Sequence, residues 1–125
     1  MIKVAESTDV GGARGVFAGR DIAKGQTIEV APVIVIPRAQ SHVIRETKLD
    51  DYAFKWGGGC FAVALGYGSF YNHSYSPNAR YWQDTQNRAL EFVALRRIRR
   101  GEEITINYNG DPGSQEDLWF RVKAI

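Results

Sequence analysis

One stretch of this chain occurs twice. "VFAGRDIAKGQTIEV" (Val16 to Val30) and "FVALRRIRRGEEITI" (Phe92 to Ile106) superpose at a constant offset of 76 residues. Ala18/Ala94, Arg20/Arg96, Ile22/Ile98, Lys24/Arg100, Gly25/Gly101, Ile28/Ile104 and Val30/Ile106 are the matched pairs. Each copy reads as a strand, a tight basic turn ending in glycine, and a second strand, the glycine supplying the positive φ of such a turn. A period found once does not make a solenoid. The expectation is two similar β-corners on opposite sides of a small, mainly β fold.

The rest of the chain fits that frame. Thirteen glycines and four prolines in 125 residues favour short strands over long helices. No linker or low-complexity tract interrupts the chain, so a single domain over 1–125 is expected, with about 109–125 as a C-terminal closing segment. "TIEVAPVIVI" (Thr27 to Ile36) becomes apolar throughout, as a strand buried on both faces would be. Pro32 and Pro37 place it at an edge or a bend. Arg80 to Gln83 and Leu90 to Leu95 flank the polar "DTQNR" and read as a hairpin. Ser41 to Phe54 is the best helix candidate, with Ser41 as its cap.

Charge and cysteine usage bound the function. Sixteen basic against fourteen acidic residues leave a net charge of +2, which argues against a dedicated nucleic-acid binder. A lone Cys60 allows no intramolecular disulfide and no cysteine-based zinc site within one chain, and it reads as a small buried hydrophobe. No apolar run approaches membrane-spanning length and no secretory h-region is present, so a soluble intracellular protein is expected, cytoplasmic and nuclear being indistinguishable.

Three segments are too specific for scaffolding alone: "GGARGVFA" (Gly11 to Ala18), "ALGYGSFYNHSYSPN" (Ala64 to Asn78) and "GEEITINY" (Gly101 to Tyr108). Singly, each has an ordinary explanation. Asn72-His73-Ser74 is a turn with local bonding, Tyr108 a half-buried strand tyrosine, and Tyr52 with Phe54 and Trp56 core packing. Arg96, Arg97, Arg99 and Arg100 read as a solvated hairpin end. In this combination and order, however, the segments resemble the SET-domain protein lysine methyltransferases. The resemblance runs over essentially the whole chain and is nearest to minimal viral and bacterial forms without zinc-binding flanks.

The resemblance implies a β-clip-like SET fold of short curved sheets, with a short helical insert and a threaded C-terminal segment. It implies methyl transfer from S-adenosyl-L-methionine to a lysine ε-amine of a protein, possible substrates including a histone tail, with S-adenosyl-L-homocysteine released. The backbone of Ala13, Arg14, Gly15 and Val16 would embrace the cofactor. Asn72 and His73 would pair with its amino-acid and adenine parts, His73 mainly through its main chain. Tyr108 matches the catalytic tyrosine, and Tyr52 an aromatic touching cofactor and substrate lysine. No metal is implied.

The chemistry wants such residues. Lysine carries an unperturbed pKa of about 10.4 and arrives charged and inert. A narrow aromatic channel disfavours the ammonium by desolvation, and Tyr52, Phe70, Tyr81 and Tyr108 would build one. Its faces would hold methylated products by cation–π contact. In-line displacement then needs alignment more than acid–base help. Ile106 stands where relatives often carry a Phe or Tyr that tunes methyl count and would favour multiple methylation. The Tyr81 hydroxyl bears on the same question and conflicts with it, so methyl count stays open.

Many relatives close the channel with a cysteine-rich zinc segment, which is absent here. Trp119 and Phe120 would then stack on adenine and cap the channel, or simply anchor the C-terminus in the core. Two rivals stand beside the enzyme: a catalytically weak SET-like module binding peptide or cofactor, and a β-rich nucleic-acid-binding module using the arginine turn. A symmetric partner could complete the substrate groove as a homodimer.

Overall fold

The computed structural model describes residues 1–7 and 13–118. Two sheets carry the fold. The first contains β1 (Ile2–Glu6), β2 (Arg14–Ala18), β9 (Glu103–Ile106) and β6 (Asn72–His73) in the spatial order β1-β2-β9-β6. The second contains β4 (Phe54–Lys55), β5 (Phe61–Ala64), β3 (Thr27–Ile36), β8 (Ala89–Ala94) and β7 (Ala79–Asp84) in the order β4-β5-β3-β8-β7. All ladders are antiparallel except β6 with β9, which is parallel. β9 thus sits inside its sheet, between β2 and β6.

The repeated stretch explains how the sheets join, and the two corners are not on opposite sides. They lock into one another. The amide of Ile22 donates to Ile98 and that of Ile98 back to Ile22, at 2.7 and 2.9 Å. Gly25 N–H donates to Ala94 and Gly101 N–H to Ala18, both at 2.8 Å; Ala94 N–H donates to Gln26 and Ala18 N–H to Glu102. Every bond in the set has its equivalent 76 residues away. The first strand of each copy also pairs with the second strand of the other, β2 with β9 and β8 with β3. The result is a local two-fold arrangement with the buried pair Ile22/Ile98 at its centre. Both turn glycines take the positive φ expected of them, 81° and 89°.

β3 is neither an edge strand nor buried on both faces. Its residues Thr27 to Pro32 pair with β8, and Val33 to Ile36 with β5. Pro32, which has no N–H to give, sits where the strand changes partner, so the ladder loses no bond there. Ala31 and Val33 face the core while Val30 and Ile34 are 59% and 52% exposed, the alternation of a strand covered on one face.

The expected helix over 41–54 is broken. α1 covers only Ser41–Arg45, flanked by 3-10 turns at Arg38–Gln40 and Lys48–Asp51, and Phe54 already lies in β4. Thr47 ends the helix: its hydroxyl donates to the Ile44 carbonyl and accepts from the Leu49 amide. Ser41 is the first helical residue rather than a cap, and its hydroxyl donates across to the Gly59 carbonyl at 2.9 Å. The β7–β8 hairpin forms as read. Cys60 is half-buried, not part of the core. Among the described residues no helix is long and apolar enough to cross a membrane.

Candidate active site

A cavity of about 430 Å3 opens where the insert, the loop before β6 and the chain after β9 meet. Tyr52, Phe54, Tyr71, Tyr81 and Tyr108 form its aromatic wall. The rings are held by one another: Phe54 packs edge-on against Tyr81 at 5.1 Å, and Tyr71 stacks on Phe92 at 4.2 Å. Tyr71 is further fixed because its hydroxyl donates to Glu29 at 2.8 Å, and burial pushes that phenol far above its ordinary pKa. Asp51, Glu116 and Asp117 place carboxylates in the lining.

Tyr108 is oriented at both ends. Its hydroxyl donates to the Tyr71 carbonyl at 2.7 Å, and its amide donates to Nδ1 of His73 at 3.0 Å. Burial, then the neighbouring Tyr52, raises its pKa far out of the physiological range. Burial likewise pushes Tyr81 up to about 12. Both phenols therefore stay protonated at neutral pH. His73 accepts at Nδ1, so its ring proton resides on Nε2 in the neutral form. Burial lowers its pKa and favours that form.

Asn72 and His73 are neighbours on β6 and project to opposite faces. His73 turns to Tyr75 and Tyr108, its ring 4.3 and 5.2 Å from theirs. Asn72, 2% exposed, turns to β2. Its Nδ2 donates to Glu103 Oε2 at 2.7 Å and to the Arg14 carbonyl at 3.1 Å. Both partners only accept, so the amide cannot flip. Oδ1 is left buried with no donor among the described residues, and so is His73 Nε2 with no acceptor. Ser7 braces the other carboxylate oxygen of Glu103 at 2.6 Å. A Cβ on Gly15 would overlap that carboxylate and crowd the Asn72 amide, so a side chain there would displace the Asn72–Glu103 pair.

Beside Gly15, Ala13 and Val16 are buried and Arg14 is exposed. Phe70 does not line the cavity; its ring lies under the Arg14 guanidinium at 4.7 Å. Ile106 is also away from the lining, fully buried in the core opposite His73. Trp119 and Phe120 lie outside the described residues.

Several contributors were not singled out from the sequence. The chain after β9 is strapped down by Tyr75, whose hydroxyl donates to the Glu116 carbonyl, and by Asn109, whose Nδ2 donates to the same oxygen, both at 2.8 Å. Asn107 Nδ2 holds the Ser114 carbonyl. Asn78 braces β9 through the Glu103 carbonyl and the Thr105 amide. The run of asparagines around Tyr108 was the available signal. The hairpin arginines pair locally, Arg96 with Glu102 and Arg97 with Asp21.

Comparison with known proteins shows what the chain is similar to. The family model described as SET domain matches residues 13–109. A Schizosaccharomyces pombe histone-lysine N-methyltransferase, H3 lysine-37 specific, is 33% identical over 112 residues, covering 89% of this chain and 72% of that protein. A Dictyostelium discoideum SET and MYND domain-containing protein is 40% identical over 40 residues, which is 8% of its length. The crystal structure of a Plasmodium falciparum protein, provisionally named a histone methyltransferase, superposes with a TM-score of 0.66. It shows 30% identity over 89% of this chain and 99% of the other.

Proposed function

This chain belongs to the SET-domain family of protein-lysine methyltransferases, and from that premise we propose that S-adenosylmethionine is its methyl donor and a histone lysine its acceptor. The observation that carries the donor is the buried, partnerless Oδ1 of Asn72 beside Gly15. An acceptor so placed fits the α-ammonium of an amino-acid moiety, since a buried acceptor without a donor is costly. The carbonyls and glycine of residues 13–16 add a close backbone approach. Bound there, the cofactor supplies an electrophilic sulfonium methyl.

The chain's own residues do the rest. Tyr52, Phe54, Tyr71, Tyr81 and Tyr108 surround the entering lysine with ring faces and exclude water, which favours its neutral amine. The proton leaves to solvent, because the buried phenols hold theirs. The Tyr108 hydroxyl, committed as a donor to Tyr71, turns its lone pairs toward the cavity to align the amine. Carbonyls near Ser69 steady the methyl through weak C–H···O contacts. The carboxylates of Asp51, Glu116 and Asp117 suit a basic tail, as do the names of the relatives.

Calorimetric titration with S-adenosylhomocysteine tests the donor site: wild type should bind, and Asn72→Ala should bind at least about tenfold more weakly. Equal affinities would remove Asn72 from the site.

A further inference from the structure

A second concavity borders β4 next to the aromatic cavity, with Lys55 in the lining of both. It is an open recess of about 490 Å3 between α1 and the 3-10 turn Gly57–Gly59. Arg38, His42, Arg45 and Lys55 line it, with Trp56 and Phe61 as apolar surface, and no carboxylate belongs to the lining.

The two arginines are held in place. Ser41 ties α1 to the Gly59 carbonyl. The Arg45 guanidinium stands 5.6 Å from the Phe61 ring centroid. The Arg38 stem lies so close over Gly59 that a Cβ there would come within 3.1 Å of its Cδ. The contrast with the hairpin is informative. Arg96 and Arg97 are each neutralised by a carboxylate, whereas Arg38 and Arg45 have no ion pair among the described residues. Two guanidinium forks beside an indole are suited to a compact anion, which they can engage in bidentate fashion.

Position identifies the carrier of that anion. Lys55 lines both concavities: with Phe54 it borders the aromatic cavity, and with Trp56 the recess. β4 is an edge strand of its sheet. A substrate chain running along it, at about 3.3 Å per residue, would bring a position roughly two to four residues from the target lysine over the recess. The sign also reverses along this path, from Asp51, Glu116 and Asp117 at the cavity to Arg38 and Arg45 at the recess. We propose that the recess is a substrate subsite that binds a phosphate or carboxylate side chain of the same polypeptide whose lysine enters the aromatic cavity. This rests on the lysine-methyltransferase reading above and adds a second determinant to it.

The test uses the full chain, labelled S-adenosylmethionine and lysine peptides differing at one position, two to four residues to either side of the lysine. That position carries phosphoserine, glutamate or serine. On one side, phosphoserine should raise kcat/KM about fivefold over serine, with glutamate between them, and the advantage should shrink as salt is added. In Arg38→Gln/Arg45→Gln, checked for an unchanged melting temperature, the phosphoserine-to-serine ratio should fall to one. Equal kcat/KM at every position, or a preference that survives in the double variant, overturns the subsite. Binding of duplex DNA or inorganic phosphate without any peptide preference overturns it too. If no lysine peptide is methylated, the enzyme reading fails instead. The recess is then judged by phosphopeptide titration, where affinity unaffected by the double variant overturns it.

Discussion

The hydroxyl of Tyr108 and the carbonyl of Tyr71 are joined by a 2.7 Å hydrogen bond, and Tyr71 is itself pinned by Glu29 and Phe92. The Tyr108 phenol in the wall of the aromatic cavity is thus held by the backbone of a residue whose own side chain is fixed by two partners. Tyr108→Phe should leave the fold and S-adenosylhomocysteine affinity intact while lowering kcat about a hundredfold or more, the scale for losing one preorganised polar group in a site. Steady-state kinetics and titration read the two effects separately. A variant with wild-type kcat would show that the hydroxyl does not align the amine.

Glu103 acts through Asn72. As a carboxylate it can only accept, which forces Nδ2 toward it and leaves Oδ1 buried with no donor among the described residues. Glu103→Gln can donate, so it permits the flipped amide and presents Nδ2 to an ammonium. Affinity for S-adenosylhomocysteine should fall about tenfold, whereas an analogue lacking the α-amino group should lose much less. Equal losses for both ligands would reduce Glu103 to a packing role.

His73 gives the fold an acid limit. Its folded pKa is depressed below the ordinary 6.5 by burial, so the unfolded chain takes up the proton first. The full contribution is present above pH 6.5 and is lost as pH falls below that value toward the folded pKa. Protonation would also remove the acceptor of the Tyr108 amide. Melting temperature should drop on acidification from pH 6.5, and His73→Asn, which retains an acceptor near Nδ1, should flatten that drop. An identical pH profile in the variant would exclude His73 as the titrating group.

Tyr75 and Asn109 share the Glu116 carbonyl and hold Glu116, a residue of the cavity lining, in place. Tyr75→Phe should raise the peptide KM about threefold at nearly constant kcat, since one partly solvated hydrogen bond contributes about 1 kcal/mol or less. Adding Asn109→Ala should raise it by more than the product of the two single effects. Strictly multiplicative effects would mean that the two side chains act independently.

The mainly β class was legible in the glycine-rich, strand-favouring composition. Asn72 and Tyr108 could be singled out because their motifs are contiguous. The corner glycines were legible because a turn's φ is a local demand. That the two corners pair with each other was not, because Ile22 and Ile98 meet only through contacts 76 residues apart. Pro32 was misread for the same reason: one strand serving two ladders has no local signature. The helix was drawn too long because the side-chain bonds of Thr47 compete with helical ones only once the turn exists. The contact of the Phe70 ring with the Arg14 guanidinium, far away in sequence, was not legible either. Glu103 went unassigned because its role lies in accepting from Ser7 and Asn72, which no spacing rule announces.

The central claim is that the aromatic cavity methylates a lysine with Tyr108 as its aligning group. Mass spectrometry of a histone-tail peptide array treated with protein and isotopically labelled S-adenosylmethionine tests it most directly. The account predicts labelled methyl on lysine ε-nitrogen with wild type, and its near disappearance with Tyr108→Phe at matched cofactor occupancy. Cofactor bound with no label on any lysine, or equal labelling by the two proteins, would contradict it.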